Sequence, residues 1–148
     1  MAQFDEALRR YYDTQANVYD DMYMRRNPEW RRELEALADA MTKTSSGRRV
    51  LEIACGAGFW TEIAAKAAKH VVAIDVSEKM LDTARKRKVR NANVEYRRAD
   101  AYALDKVSGE FDAGLANFWF SHVPKARIDE FLHSFHEKLG KTAVVFMA

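Results

Sequence analysis

The sequence predicts an α/β protein organised on a mostly parallel sheet. Three observations predict it. From residue 47 onward, short apolar runs alternate with segments of helical spacing, the pattern of successive strand–helix–strand units. The first of these runs passes directly into Cys55-Gly56-Ala57-Gly58, a glycine pair set between a strand and a helix. The length, 148 residues, suits a single domain with its own core.

Two stretches of helical spacing come before the alternation. One runs from Phe4 to about Arg26 and is rich in Tyr; the next starts near Pro28 and sets Trp30, Leu34, Leu37, Ala38 and Met41 on one face. Residues 1–46 are therefore expected to form a helical flank or lid, ending in the polar turn Thr44-Ser45-Ser46-Gly47, with the core over 47–148. The first strand is expected over 49–54, its helix over 59–69 and the second strand over 71–75. Ser77 suits the N-cap of a helix that turns Met80, Leu81 and Ala84 inward. Residues 94–97 read as a short third strand and 111–117 as a fourth. Pro124 suits a first helical position ahead of Ile128, Phe131, Leu132, Phe135 and Leu139, whose spacing traces one apolar stripe, and Gly140 ends that helix. A continuous apolar run over 142–147 is the fifth strand.

Composition narrows the function classes. Apolar residues make up 48% and charged residues 31%, which excludes a disordered chain, and no apolar run approaches the roughly 20 residues that span a bilayer. The first ten residues lack the basic region and apolar core of a secretion signal, so a cytoplasmic location is expected. Cys55 is the sole cysteine, which excludes an internal disulfide. Lys and Arg exceed Asp and Glu by only +2, too little to draw the whole molecule to nucleic acid. A local basic cluster, Arg85-Lys86-Arg87-Lys88-Val89-Arg90 with Arg97 and Arg98, reads as a solvated helix end whose cations complement the helix dipole, with an anionic partner as the alternative.

The glycine pair is where chemistry concentrates. Glycines tighten the turn and let a ligand approach the backbone without a Cβ in the way. Asp75 closes the second strand 19 positions after Gly56, close to the separation at which an acid accepts the ribose hydroxyls of a bound nucleoside. A dinucleotide fold places a third Gly or Ala where this chain has Thr61. Glu52, at the strand end beside the turn, would repel a pyrophosphate but suits a ligand that carries an ammonium and a sulfonium.

These segments resemble the class I S-adenosylmethionine-dependent methyltransferases. The run 51–58 resembles their first motif, an acid followed by a glycine-rich turn, with Ala54 in place of the first glycine. Val72-Ala73-Ile74-Asp75-Val76-Ser77 resembles the second motif, and Arg98-Ala99-Asp100-Ala101 the stretch that meets the adenine amino group. The run 111–124 resembles the motif after the fourth strand. The resemblance implies a Rossmann-like three-layer α/β/α fold with strand order 3-2-1-4-5, lacking the last two strands of the seven-stranded family sheet and so short at its C-terminal side. It implies S-adenosylmethionine as cofactor and S-adenosylhomocysteine as product. The implied cofactor-binding residues are Glu52, Ala54, Cys55, Gly56, Gly58, Asp75, Val76, Met80, Asp100, Ala101, Asn117 and Trp119. Tyr12 and Tyr19 resemble the aromatic entry segment that closes over the methionine end of the cofactor, where a sulfonium gains cation–π attraction of about 1 kcal/mol; packing of the flank helix is the plainer reading of those rings.

Methyl transfer is an in-line displacement, so positioning supplies most of the catalysis. His122, just past the fourth strand, suits a general base, with a helix-capping role as the alternative. His133 and His136 share a helix face, but no third ligand accompanies them, so no metal site is expected. Cys55 reads as a small turn residue rather than a nucleophile. A small-molecule acceptor is expected, with no membrane partner, and the apolar fifth strand at the sheet edge predicts a homodimer or strand exchange. Two other readings compete: a module that binds the nucleoside without catalysis, and an NAD-dependent oxidoreductase, against which Glu52 and Thr61 argue.

Overall fold

A computed structural model describes residues 28–87 and 93–148. Helix α1 (Pro28–Ser45) leads into strand β1 (Arg49–Glu52), helix α2 (Phe59–Ala65), strand β2 (His70–Asp75), helix α3 (Glu78–Arg85) and strand β3 (Val94–Arg98). Strand β4 (Ala113–Ala116), helix α4 (Ile128–Leu139) and strand β5 (Val144–Met147) complete the order. The five strands pair in the order β3-β2-β1-β4-β5, every neighbouring pair parallel, with Glu52 opposite Ala73 on one side and Leu115 on the other. This is the expected order.

Burial follows from that topology. Parallel sheets carry helices on both faces, so their central strands are apolar throughout, and in β2 every residue after His70 is buried. Leu34 and Met41 of α1, Trp60 and Ala64 of α2 and Leu81 of α3 pack on one face against Val50, Val71 and Leu115. Phe131, Phe135 and Leu139 of α4 cover the other face with Leu51, Ile53 and Ile74. Gly114 lets α4 settle on β4: a Cβ there would lie 2.5 Å from Phe135 Cζ and 2.6 Å from Leu139 Cδ1.

Several boundaries differ from expectation, each for a local reason. Residues 44 and 45 belong to α1 rather than to a turn, because the Thr42 and Thr44 hydroxyls donate to the carbonyls of Ala38 and Ala40, four residues back, and so satisfy themselves inside the helix. Strand β1 ends at Glu52, since Ala54 has a φ of 52° that no strand can continue. Pro124 precedes α4 instead of starting it: its ψ is 137°, and a 3-10 turn over Lys125–Arg127 intervenes. Leu132 departs from the apolar stripe and is exposed, while Phe131, Phe135 and Leu139 carry the buried face.

Ser77 caps α3 as its type requires, its Oγ accepting from Met80 N at 3.2 Å. The basic cluster is only in part a solvated helix end. Arg85 pairs with Glu78 and Asp82 at the surface, whereas Arg87 turns inward, its Nε donating to Ala57 O at 2.6 Å and its Nη1 to Glu62 at 3.0 Å. Residues 88–90 lie outside the described residues.

Candidate functional site

The site forms at the carboxyl ends of β1, β2 and β4, where ligands of open parallel sheets bind. Strand β1 must turn sharply there to enter α2, and the turn uses positive φ at Ala54 (52°), Gly56 (56°) and Gly58 (82°). Cys55 N donates to Ile74 O at 2.9 Å and Gly58 N to Cys55 O at 3.1 Å, which locks the turn onto β2.

Asp75 organises the turn from the next strand. Its Oδ2 accepts from Gly56 N at 2.8 Å and its Oδ1 from Ser77 N at 2.9 Å, so one carboxylate ties the glycine turn to the start of α3. Asp75 also lines the cleft.

Glu52 is 2% exposed, and its Oε2 accepts from the Thr61 hydroxyl at 2.5 Å. Burial pushes its pKa up to about 8; the Thr61 bond opposes that rise and the nearby Asp75 charge adds to it. The sequence suggests a fixed anion, whereas burial in the folded protein favours the neutral carboxylic acid. Burial, and then the charges of Glu52 and Asp75, also raise the Cys55 thiol well above its usual range, which excludes a reactive thiolate.

One cleft gathers most of the predicted residues. Glu52, Ala54, Cys55 and Gly56 line it from the turn, and Asp75, Val76 and Met80 from β2 and α3. Asp100 and Ala101 enter from the loop after β3; Asn117, Trp119 and His122 enter from the segment after β4. The cleft is open to solvent, with about 1080 Å3 of empty space when its mouth is included. Three of its lining residues bear carboxyl groups and, among the described residues, no Lys or Arg lines it.

The predicted set does not all converge. Gly58 sits behind the cleft, where a Cβ would lie 2.9 Å from Tyr96 Oη and 3.0 Å from Ala84 Cβ; its glycine serves close packing of the turn on α3 and β3. His122, by contrast, lines the cleft from a 3-10 turn over Phe120–His122 that precedes α4. Tyr12 and Tyr19 lie outside the described residues. His133 and His136 are exposed, and no cluster of three metal-ligating residues occurs among the described residues.

Residues 50–141 match the methyltransferase domain family, which is more than half of the chain. The chain belongs to the class I S-adenosylmethionine-dependent methyltransferases. It is 37% identical over 89 residues to a demethylmenaquinone methyltransferase of Clavibacter sepedonicus, covering 59% of this chain and 36% of that protein. It is 32% identical over 89 residues to a protein-L-isoaspartate O-methyltransferase of a Bradyrhizobium species (strain ORS 278), covering 59% of this chain and 41% of that one. The chain thus spans well under half the length of these curated relatives. Among solved structures it is similar to a DhpI-SAM-HEP complex, with a TM-score of 0.80 and 27% identity over 97% of this chain and 64% of that one.

The cleft is also lined by residues that sequence reasoning did not single out. Phe59, Trp60 and Phe118 form one wall, with Trp60 and Phe118 ring centroids 5.8 Å apart. Phe118 adopts a φ of 55°, rare for an aromatic residue, with its N–H donating to Ala148 O at 2.7 Å. Tyr102 forms part of the opposite wall under the Arg127 guanidinium, which lies 3.5 Å from its ring centroid, and Trp119 is fixed against Phe131 at 4.7 Å. Which rings face the cleft depends on the turn after β4, which residue type and spacing do not fix.

Proposed function

We propose that the chain binds S-adenosylmethionine in this cleft and transfers its methyl group to a small-molecule O, N or C acceptor. The observation that carries the reading is the acidity of the lining: Asp75 and Asp100 contribute carboxyl groups beside the buried acid of Glu52, and no Lys or Arg accompanies them among the described residues. A diphosphate would face uncompensated repulsion there, whereas a ligand with an ammonium and a sulfonium meets acceptors.

The residues fit that ligand part by part. Asp75, lining the cleft from the end of β2, takes the ribose hydroxyls, and Asp100, Ala101, Val76 and Met80 surround the place of an adenine. Glu52, Ala54, Cys55 and Gly56 face the amino-acid portion, with Asn117 and Trp119 beside the reacting end. When bound, the cofactor supplies a methyl group on a sulfonium, open to in-line displacement. The chain's own task is to hold the acceptor in line and exclude water, which the aromatic walls suit. His122 at the rim takes the proton that a hydroxyl or amine acceptor must lose. Tyr12 and Tyr19 close the methionine end from the N-terminal flank, whose lid role belongs to this proposal, as do a cytoplasmic location and pairing of two chains through the β5 edge.

The names of similar proteins are consistent with methyl transfer, and the bound SAM of the DhpI complex supports the cofactor assignment. Calorimetry with S-adenosylhomocysteine tests it. Asp75→Ala is expected to weaken binding by about 1–3 kcal/mol, while His122→Ala lowers turnover and leaves that affinity in place. Unchanged affinity in the Asp75 variant would place the nucleoside elsewhere.

A further inference from the structure

The carboxyl of Glu52 is held from one side only. Its Oε2 accepts from the Thr61 hydroxyl on α2, and both residues are buried. Its Oε1 accepts no hydrogen bond from the described residues, and Glu52 lines the cleft. Thr61 itself is wholly buried and does not reach the cleft. We propose that Thr61 is a positioning residue for ligand selection: its hydroxyl fixes Oε2 of Glu52 inside the fold, so that Oε1 alone faces the cleft and meets the ammonium of the ligand. This rests on the cofactor reading above.

The surroundings make the consequence specific. Asp75 approaches Glu52 from β2, Cys55 from the turn and Tyr96 from β3, and none of these supplies positive charge. Arg87 reaches Tyr96 from the end of α3 and is engaged with Ala57 O and Glu62. Because the Thr61 hydroxyl donates to Oε2, the acid proton of the unliganded protein sits on Oε1, where the ligand arrives. An ammonium at that position displaces this proton to the buffer, leaving a carboxylate that accepts from Thr61 on one oxygen and from the ligand on the other. A thioether nucleoside without the amino-acid portion has no such demand. Thr61 therefore discriminates between ligands that share the same adenosine.

The test uses the chain as it stands, with S-adenosylhomocysteine and methylthioadenosine as probes. Calorimetry at pH 7 in buffers of different ionisation enthalpy is expected to show close to one proton released per S-adenosylhomocysteine bound and none for methylthioadenosine. Thr61→Val should weaken S-adenosylhomocysteine by roughly tenfold with methylthioadenosine affinity unchanged, and Thr61→Ser should restore it. Equal weakening of both probes would reduce Thr61 to a packing role and overturn the inference, as would an unchanged S-adenosylhomocysteine affinity in Thr61→Val or a zero proton count in the wild type. Failure of the wild-type chain to bind S-adenosylhomocysteine at all would overturn the cofactor reading beneath it.

Discussion

Glu52 is the residue on which the site's chemistry turns. A carboxyl buried beside Asp75 holds its proton up to about pH 8 in the folded chain, against an ordinary value of 4.5. The folded state therefore binds more protons than the unfolded state between these values, and stability falls as pH rises through that window. Each pKa unit is about 1.4 kcal/mol. Glu52→Gln removes the titration: urea melts of this variant should lose much of the wild-type decline in stability between pH 5 and 8, and an identical decline would assign it to other groups. Glu52, Asp75 and the glycines were legible as types at given spacings. The neutral state of Glu52 was not, because it depends on burial by α2, and Thr61 was noticed only as a departure from a dinucleotide pattern. A hydroxyl nine residues after a strand-end acid, in the first turn of the next helix, is the signal that could have found it.

At the scale of elements, spacing identified every described α-helix and strand but none of the 3-10 turns; the central strands were plainest, because parallel strands buried on both faces leave continuous apolar runs. Ends were less legible. Ala54 breaks its strand by adopting a left-handed backbone that only the fold requires, and Pro124 holds an extended ψ that its residue type does not dictate. Gly58 was read as a ligand contact, yet its place is set by α3 and β3 pressing on the turn. Gly58→Ala combines a left-handed φ of 82° with a Cβ 3.0 Å from that of Ala84. It is expected to cost about 2–4 kcal/mol, read as a fall in the denaturation midpoint; a variant as stable as the wild type would show that α3 can yield.

For the whole molecule, the strand order makes β3 and β5 the edges of the sheet. Val145 and Met147 on β5 are 47% and 42% exposed, an apolar edge that proteins generally cover. Light scattering is expected to give a dimer at micromolar concentration, and a monomer throughout that range would leave the edge without this partner. No described helix is long and apolar enough to cross a membrane. The sheet order also brings the ends of β1, β2 and β4 together, and with them an acidic cleft that no single segment of sequence contains. The proposed function requires this cleft to select a positively charged sulfur nucleoside over a diphosphate. Titrating the wild-type chain with S-adenosylhomocysteine and with NADH under one condition tests that requirement most directly: saturable binding of the first and none of the second is predicted, and binding of NADH at comparable affinity would contradict it.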